Sequence, residues 1–216
     1  MDTAEILLIA ADAREFEGAM RYWTDIRPVT LPVHWARSAT WKGKCIVAIA
    51  NGAGPRRSAQ AASLVRFKTL VNLGFCGALD PALQIGDIVV GGENWRQPRT
   101  FSPHFKGAIA SIDHVAQTAV EKRKLRQTGA IAVEMEAAGL AGLPCYCIKS
   151  VSDLAVESFA NDLNSVLNPD GRMNILKLLW NACLRPVSRF PELIRLQERS
   201  KIASNTLGEF LESCEF

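Results

Sequence analysis

No Cys-x-x-Cys pair, no block of like charges and no apolar stretch near the roughly eighteen residues that span a bilayer occurs in this 216-residue chain. Histidine is scarce: His34, His104 and His114 are dispersed without the spacing of metal ligands. The six cysteines (Cys45, Cys76, Cys145, Cys147, Cys183, Cys214) are scattered too. Cys145 and Cys147 share a strand face, but one such pair cannot build a zinc site, so reduced, mostly buried thiols and no metal are expected. A net charge of +3 is too small to argue for nucleic acid. The opening residues MDTAEILLIAADAREFEG lack a basic leader region, so no signal peptide is expected and the location is expected to be cytoplasmic.

What is present is apolar residues, at 48% of the chain, enough for one substantial core. Strand-length apolar runs occupy 5–11, 45–50, 69–75, 87–92, 108–113, 130–135 and 146–153. Several are apolar nearly throughout, which suits strands covered on both faces. Helices are expected over 14–22, 55–67, 116–127 and 134–142. The alternation predicts an α/β fold with a mostly parallel or mixed central sheet flanked by helices. Composition changes after about residue 168: NPDGR is a turn, and a basic segment rich in Leu and Arg follows, with helices expected to break at Pro186 and Pro191. Residues 1–175 are therefore read as one domain and 176–216 as a helical C-terminal segment, its last residues mobile.

In such sheets, ligands gather beyond the carboxyl ends of strands. The first strand is followed by DAREFEG, with Glu15, and the second by NGAGPRRS, where Gly54, Arg56 and Arg57 suit either an anion site or a plain strand-to-helix turn. No Gly-Lys-Ser/Thr follows, and Arg57 stands where a dinucleotide fingerprint needs glycine. Gly74 and Gly77 allow close backbone approach. AIAVEMEAAG carries Glu134 and Glu136 around Met135, and SVSD ends a strand in Ser152 and Asp153, with Lys149 four residues earlier. Taken singly, each has a plain structural reading: helix-start acids, or an N-cap.

In the order GFCGALDPALQIGDIVV, AIAVEMEAAG, SVSDLA, these stretches resemble the purine nucleoside phosphorylase and nucleosidase superfamily. The resemblance covers residues 5 to about 175 and implies a three-layer fold, with cleavage of a purine N-glycosidic bond by phosphate or water. It implies that Glu136 accepts from ribose hydroxyls, that Met135 packs on the sugar beside Val133 and Glu134, and that Asp153 serves purine N7. Glu15 matches the acid that positions a water, and Gly74, Phe75, Cys76 and Gly77 match the turn beside the sugar. Val115 stands at the base position, while Arg56, Arg57, Lys149 and Gly54 are candidates for phosphate. No organic cofactor is implied; inorganic phosphate is a candidate co-substrate, with water as the alternative nucleophile, and a homo-oligomer, most simply a dimer, is implied.

The chain departs from the nucleosidase branch at Phe75 for serine, Lys149 for arginine and Val115 for phenylalanine, and the stretch Gly91 to Ala132 is short at 42 residues. GAGP before Arg56, GALDPALQIGD, SIDHVAQTAVEKRKL and LRPVSRFPELIRL are similar to the hopanoid-associated phosphorylases. That branch implies a lipid-like 5′-substituted adenosine, adenosylhopane, and peripheral contact with a membrane surface. The alternatives are a methylthioadenosine/adenosylhomocysteine-type nucleosidase and a nucleoside-binding homologue without turnover.

Overall fold

The computed structural model describes residues 3–216. Nine strands form one sheet: β1 (Ala4–Ala10), β2 (Thr24–Pro28), β3 (Trp35–Trp41), β4 (Lys44–Ala50), β5 (Phe67–Ala78), β6 (Ile88–Gly91), β7 (Phe105–Ser111), β8 (Ala130–Glu134) and β9 (Cys145–Asp153). Five α-helices flank it: α1 (Glu17–Met20), α2 (Pro55–Ser63), α3 (Ala119–Arg126), α4 (Ile175–Cys183) and α5 (Pro186–Ser213). The strand order is β2-β3-β4-β1-β5-β8-β7-β6-β9, and β9 also pairs with β5. One end of the sheet is thus open, and the other closes on itself through β5-β8-β7-β6-β9.

β1 explains the layering. Ile6, Leu8 and Ala10 enter one cluster with Phe16, Leu207, Phe210 and Leu211. Leu7 and Ile9 enter another with Ala61, Ala62 and Val65 of α2 and the turn after it. An apolar side chain at every position is what a strand covered on both faces requires, and the three-layer mixed α/β architecture expected from the sequence is found. β5 is the longest strand, pairing with β1 over its first half and with β9 along its middle and end. Inside the closed part, Cys76, Ala78, Val89, Ala132 and Val151 form a third cluster.

All seven expected strands occur, but β2 and β3 were not foreseen. β2 is exposed at every position, and β3 reads WARSATW with Arg37, Ser38 and Thr40 interrupting its apolar face, so neither gives an apolar run. The helix expected over 14–22 is a 3-10 turn (Ala13–Phe16) running into the single-turn α1. That expected over 134–142 shrinks to a 3-10 turn, Ala137–Leu140, between the end of β8 at Glu134 and Gly142 at φ +87°, and Gly139 within it packs so closely on α2 that a Cβ would lie 1.9 Å from the Pro55 carbonyl.

The break at Pro186 is real: it opens α5 directly after α4. Pro191 does not break α5. It lies in the second turn, where one intrahelical bond is forfeited, and the neighbouring Glu192 anchors that turn by accepting from Ala160 N at 2.6 Å and Asn161 N at 2.8 Å. The mobile C-terminus is likewise corrected. Ala203, Leu207, Phe210, Leu211 and Cys214 are buried, Glu215 pairs with Arg99, and the Phe216 ring packs on Trp41 and Tyr146. The latter half of 176–216 therefore completes the core of 1–175, whereas Leu176, Trp180, Leu184 and Val187 stay exposed.

Candidate active site

A cleft with an internal volume of about 150 Å³ lies where β1, β5, β8 and β9 end. Glu15, Phe75, Cys76, Gly77, Val115, Val133, Glu134, Met135, Glu136, Ser152 and Asp153 line it together, with Ala11, His114 and Ala116. Residues from five separate stretches of sequence thus converge.

Glu15 is set by the turn after β1. Its Oε2 accepts from Ala11 N and Asp12 N, each at 2.8 Å, while Oε1 accepts from Phe75 N at 2.7 Å. Gly74, at φ +145°, makes this possible, since a Cβ there would stand 2.6 Å from Glu15 Oε1. Burial pushes the Glu15 carboxyl above its ordinary range, against the pull of Lys149 and the backbone N–H groups.

Glu134 and Glu136 flank Lys149, which lies 3.1 Å from each and 3.2 Å from Asn72 Oδ1, wholly buried. Their environments separate them. Glu134 has no exposed side-chain surface and accepts from Glu136 N and Ala137 N at 2.9 Å. Burial would raise it, but Lys149 and these N–H groups hold it below its ordinary range. Glu136 has fewer donors: burial and the adjacent carboxylates push it up to about 7 against the attraction of Lys149. Lys149 itself is raised, because burial is outweighed by Glu134 and Glu136.

At the other end, β9 carries a bulge: Cys76 opposes Val151 and Gly77 opposes Asp153, leaving Ser152 extra. Bulges bend a strand and re-aim its side chains. Ser152 Oγ donates to Asp153 Oδ2 at 3.2 Å, and Gly77 leaves room, since a Cβ there would lie 2.9 Å from Asp153 Oδ1. Burial raises the Asp153 carboxyl, and Lys122, paired with it, lowers it.

The candidates for phosphate do not assemble. Gly54, Arg56 and Arg57 line a separate depression with Asp113 and Pro169, where Arg57 donates to the Pro169 carbonyl at 3.3 Å. Lys149 is occupied by the two glutamates. Glu134 lines the cleft, but its carboxyl is turned inward and spent on backbone N–H groups and Lys149. Among the described residues, no lysine or arginine lines the cleft, and no group of three or more His, Cys, Asp or Glu side chains is placed to hold a metal.

Sequence reasoning missed His114 and Lys122. His114 stands at the rim between Asp113 (2.9 Å) and Glu121 (2.6 Å), whose hydrogen bonds raise its pKa. Lys122 belongs to the EKRK run, which reads as a solvated helix face and gives no sign that one member turns inward.

The Phosphorylase superfamily matches residues 5–104; the VEME and SD motifs lie beyond that stretch. The purine nucleoside phosphorylase DeoD-type of Shewanella baltica is 28% identical over 157 residues, a match covering 54% of this chain and 66% of that protein, just under two thirds of its length. Among solved structures, the 5′-methylthioadenosine/S-adenosylhomocysteine nucleosidase of Helicobacter pylori aligns with a TM-score of 0.66 at 18% identity, covering 99% of this chain and 98% of that one. The futalosine hydrolase of the same organism aligns equally well, at 0.66 and 18%, over 98% and 97%. These relatives are all enzymes; the match over 5–104 bears out the superfamily resemblance for the stretch that holds GFCGALDPALQIGDIVV, and the solved structures bear out the fold.

Proposed function

With the Phosphorylase superfamily as the premise, we propose that this protein cleaves the N-glycosidic bond of a purine nucleoside, with water as the nucleophile. The observation that carries the reading is the convergence of Glu136, Glu15 and Asp153 on one cleft, each carboxyl raised by burial. Breaking the bond leaves positive charge on the sugar and negative charge on the base. An acid at one end and carboxylates at the other meet both demands, and general acid catalysis of this kind is worth about 10²- to 10⁴-fold.

The roles follow from position. Asp153, with a partly open side chain, gives a proton to the base. Glu136 accepts from the ribose hydroxyls with Met135 against the sugar. Glu15 retains a lone pair on Oε1 for water. Water is favoured over phosphate because the lining carries carboxylates and no lysine or arginine. Incubating the protein with adenosine, inosine and methylthioadenosine, with and without phosphate, tests this. Free base and free sugar (ribose, or methylthioribose from methylthioadenosine) independent of phosphate are expected, whereas the sugar 1-phosphate would establish phosphorolysis and binding without release would leave a nucleoside-binding protein.

The preferred substrate is a 5′-substituted adenosine with an apolar substituent, adenosylhopane in the limiting case. What supports this is the uncovered apolar surface of α4 and the start of α5, where Leu176, Trp180 and Val187 are 81%, 70% and 90% exposed beside Lys177 and Arg185. No described helix is long and apolar enough to cross a membrane, and an apolar face edged with cations suits the surface of an anionic bilayer. Flotation with anionic vesicles and a rate comparison of long-chain with unsubstituted adenosines test it. Equal rates and no vesicle binding would overturn it, and a concentration-dependent dimer by light scattering would assign the face to a second copy.

A further inference from the structure

Lys122 and Lys149 are the two fully buried lysines among the described residues. Lys122 is the fourth residue of α3, whose start is fixed by Thr118 Oγ1 accepting from Glu121 N at 3.1 Å. Its neighbours Arg123 and Lys124 are exposed, but its own side chain is 1% exposed. The ammonium has three partners: Asp153 Oδ1, the Leu154 carbonyl at 2.8 Å, and the Phe159 ring, whose centroid is 5.2 Å away. Burying an ammonium is costly unless it is paired and hydrogen-bonded. The side chain is thus held in one place by a carboxylate, a carbonyl and an aromatic face.

This fixes Asp153 in turn. Oδ1 is taken by Lys122 and backed by Gly77, where even a Cβ would collide. Oδ2 meets only the Ser152 hydroxyl. The other titratable groups acting on the pair are Glu157, held by Arg199 at 2.5 Å, and the Cys76 thiol.

We propose that Lys122 is a positioning residue for Asp153: it clamps one carboxyl oxygen so that the other is presented to the base, and it is the counter-cation of the carboxylate left after proton transfer. The proposal rests on the reaction assigned above. In that reaction the Asp153 proton passes to a purine ring nitrogen as the glycosidic C–N bond breaks with its electron pair going to the base. The water oxygen bonds to the sugar carbon and releases a proton to Glu15. Asp153 then regains a proton from solvent, and Glu15 loses one to it.

Two variants and two readouts test the proposal. Lys122→Met removes the charge at similar length, and Lys122→Arg keeps it. Lys122→Gln replaces Lys122→Met should the latter not fold. Carbon-13 carboxyl NMR, with the Asp153 signal identified by its loss in Asp153→Asn, reads the titration without any need for turnover. In Lys122→Met the Asp153 midpoint is expected to rise by about one pH unit or more, while Lys122→Arg stays near the parent. Base release by Lys122→Met is expected to fall about 10-fold or more in kcat with KM changed less than about 3-fold, and its alkaline limb to move upward. A parental Asp153 midpoint in folded Lys122→Met overturns the pairing even if the enzyme is active. Failure of the unaltered protein to release base overturns the functional reading and the catalytic use of the pair, and the NMR result tells these two failures apart.

Discussion

The two ends of the cleft are each built on one buried lysine, but they divide charge differently. At the Glu136 end, Lys149 contacts Glu134 and Glu136 and also acts on Glu15, so three carboxyls face a single ammonium. At the Asp153 end, Lys122 faces one carboxyl. One cation cannot hold three carboxyls ionised in a buried place, so Glu134, which has Lys149, the Ser111 hydroxyl and two backbone N–H groups beside it, takes the charge, and Glu136 is pushed up to about 7. The surplus of carboxyl groups thus stands at the end assigned to the sugar, and the one-to-one pair at the end assigned to the base.

The sharpest way to break this contrast is Asp153→Asn. It is expected to lower base release by about 10²- to 10⁴-fold, with KM little changed. Steady-state kinetics check it. A loss no larger than a few-fold would remove the base end from the chemistry.

Next in effect is Lys149→Met, which leaves three carboxyls without their cation. Removing one partner of a buried pair costs about 3–5 kcal/mol, and urea melts at neutral pH are expected to show it. The loss should shrink on acidification, because Glu136 and Glu15 then become neutral. Gly74→Ala follows: a non-glycine residue at this φ costs about 1–3 kcal/mol, and the methyl displaces Glu15. Reduced stability with a disproportionate loss of turnover is expected.

Glu136 gives a finer test through pH. Its carboxyl is raised in the folded protein, from 4.5 to about 7. The folded state therefore binds that proton more tightly than the unfolded chain does. The associated stability is fully present below about pH 4.5 and is lost as pH rises to about 7. Melts of Glu136→Gln across this window should show a flatter slope than those of the parent. Smallest is Trp180→Ala on the exposed face, expected to change stability by no more than about 0.5 kcal/mol while weakening vesicle binding.

Much of this was legible because burial writes itself into composition. β1 and β4 are apolar at nearly every position and β9 over its first four, since both their faces are covered, and the acids at 15, 136 and 153 stand where those runs or their neighbours end. β2 left no trace because an exposed edge strand needs no apolar residue. The inward turn of Glu134 was hidden because its donors are backbone N–H groups, which every sequence contains. Lys122 was hidden because a lysine with a buried carboxylate partner is spelled like any lysine on a helix surface. Arg56, Arg57 and Lys149 misled for the opposite reason: cations near one another in the strand-end pattern were read as one anion site, but Lys149 lies wholly buried between glutamates in the interior.

β5 belongs to both parts of the sheet, with Leu70, Val71 and Asn72 paired to β1 on one side and to β9 on the other. Its central amides should be the slowest in the molecule to trade their hydrogens for deuterium, and at one common rate with those of β1 and β9. Neither the open nor the closed portion then has a melting step of its own, and a ligand seated at the strand ends should slow exchange on the far side of α5 as well as around itself.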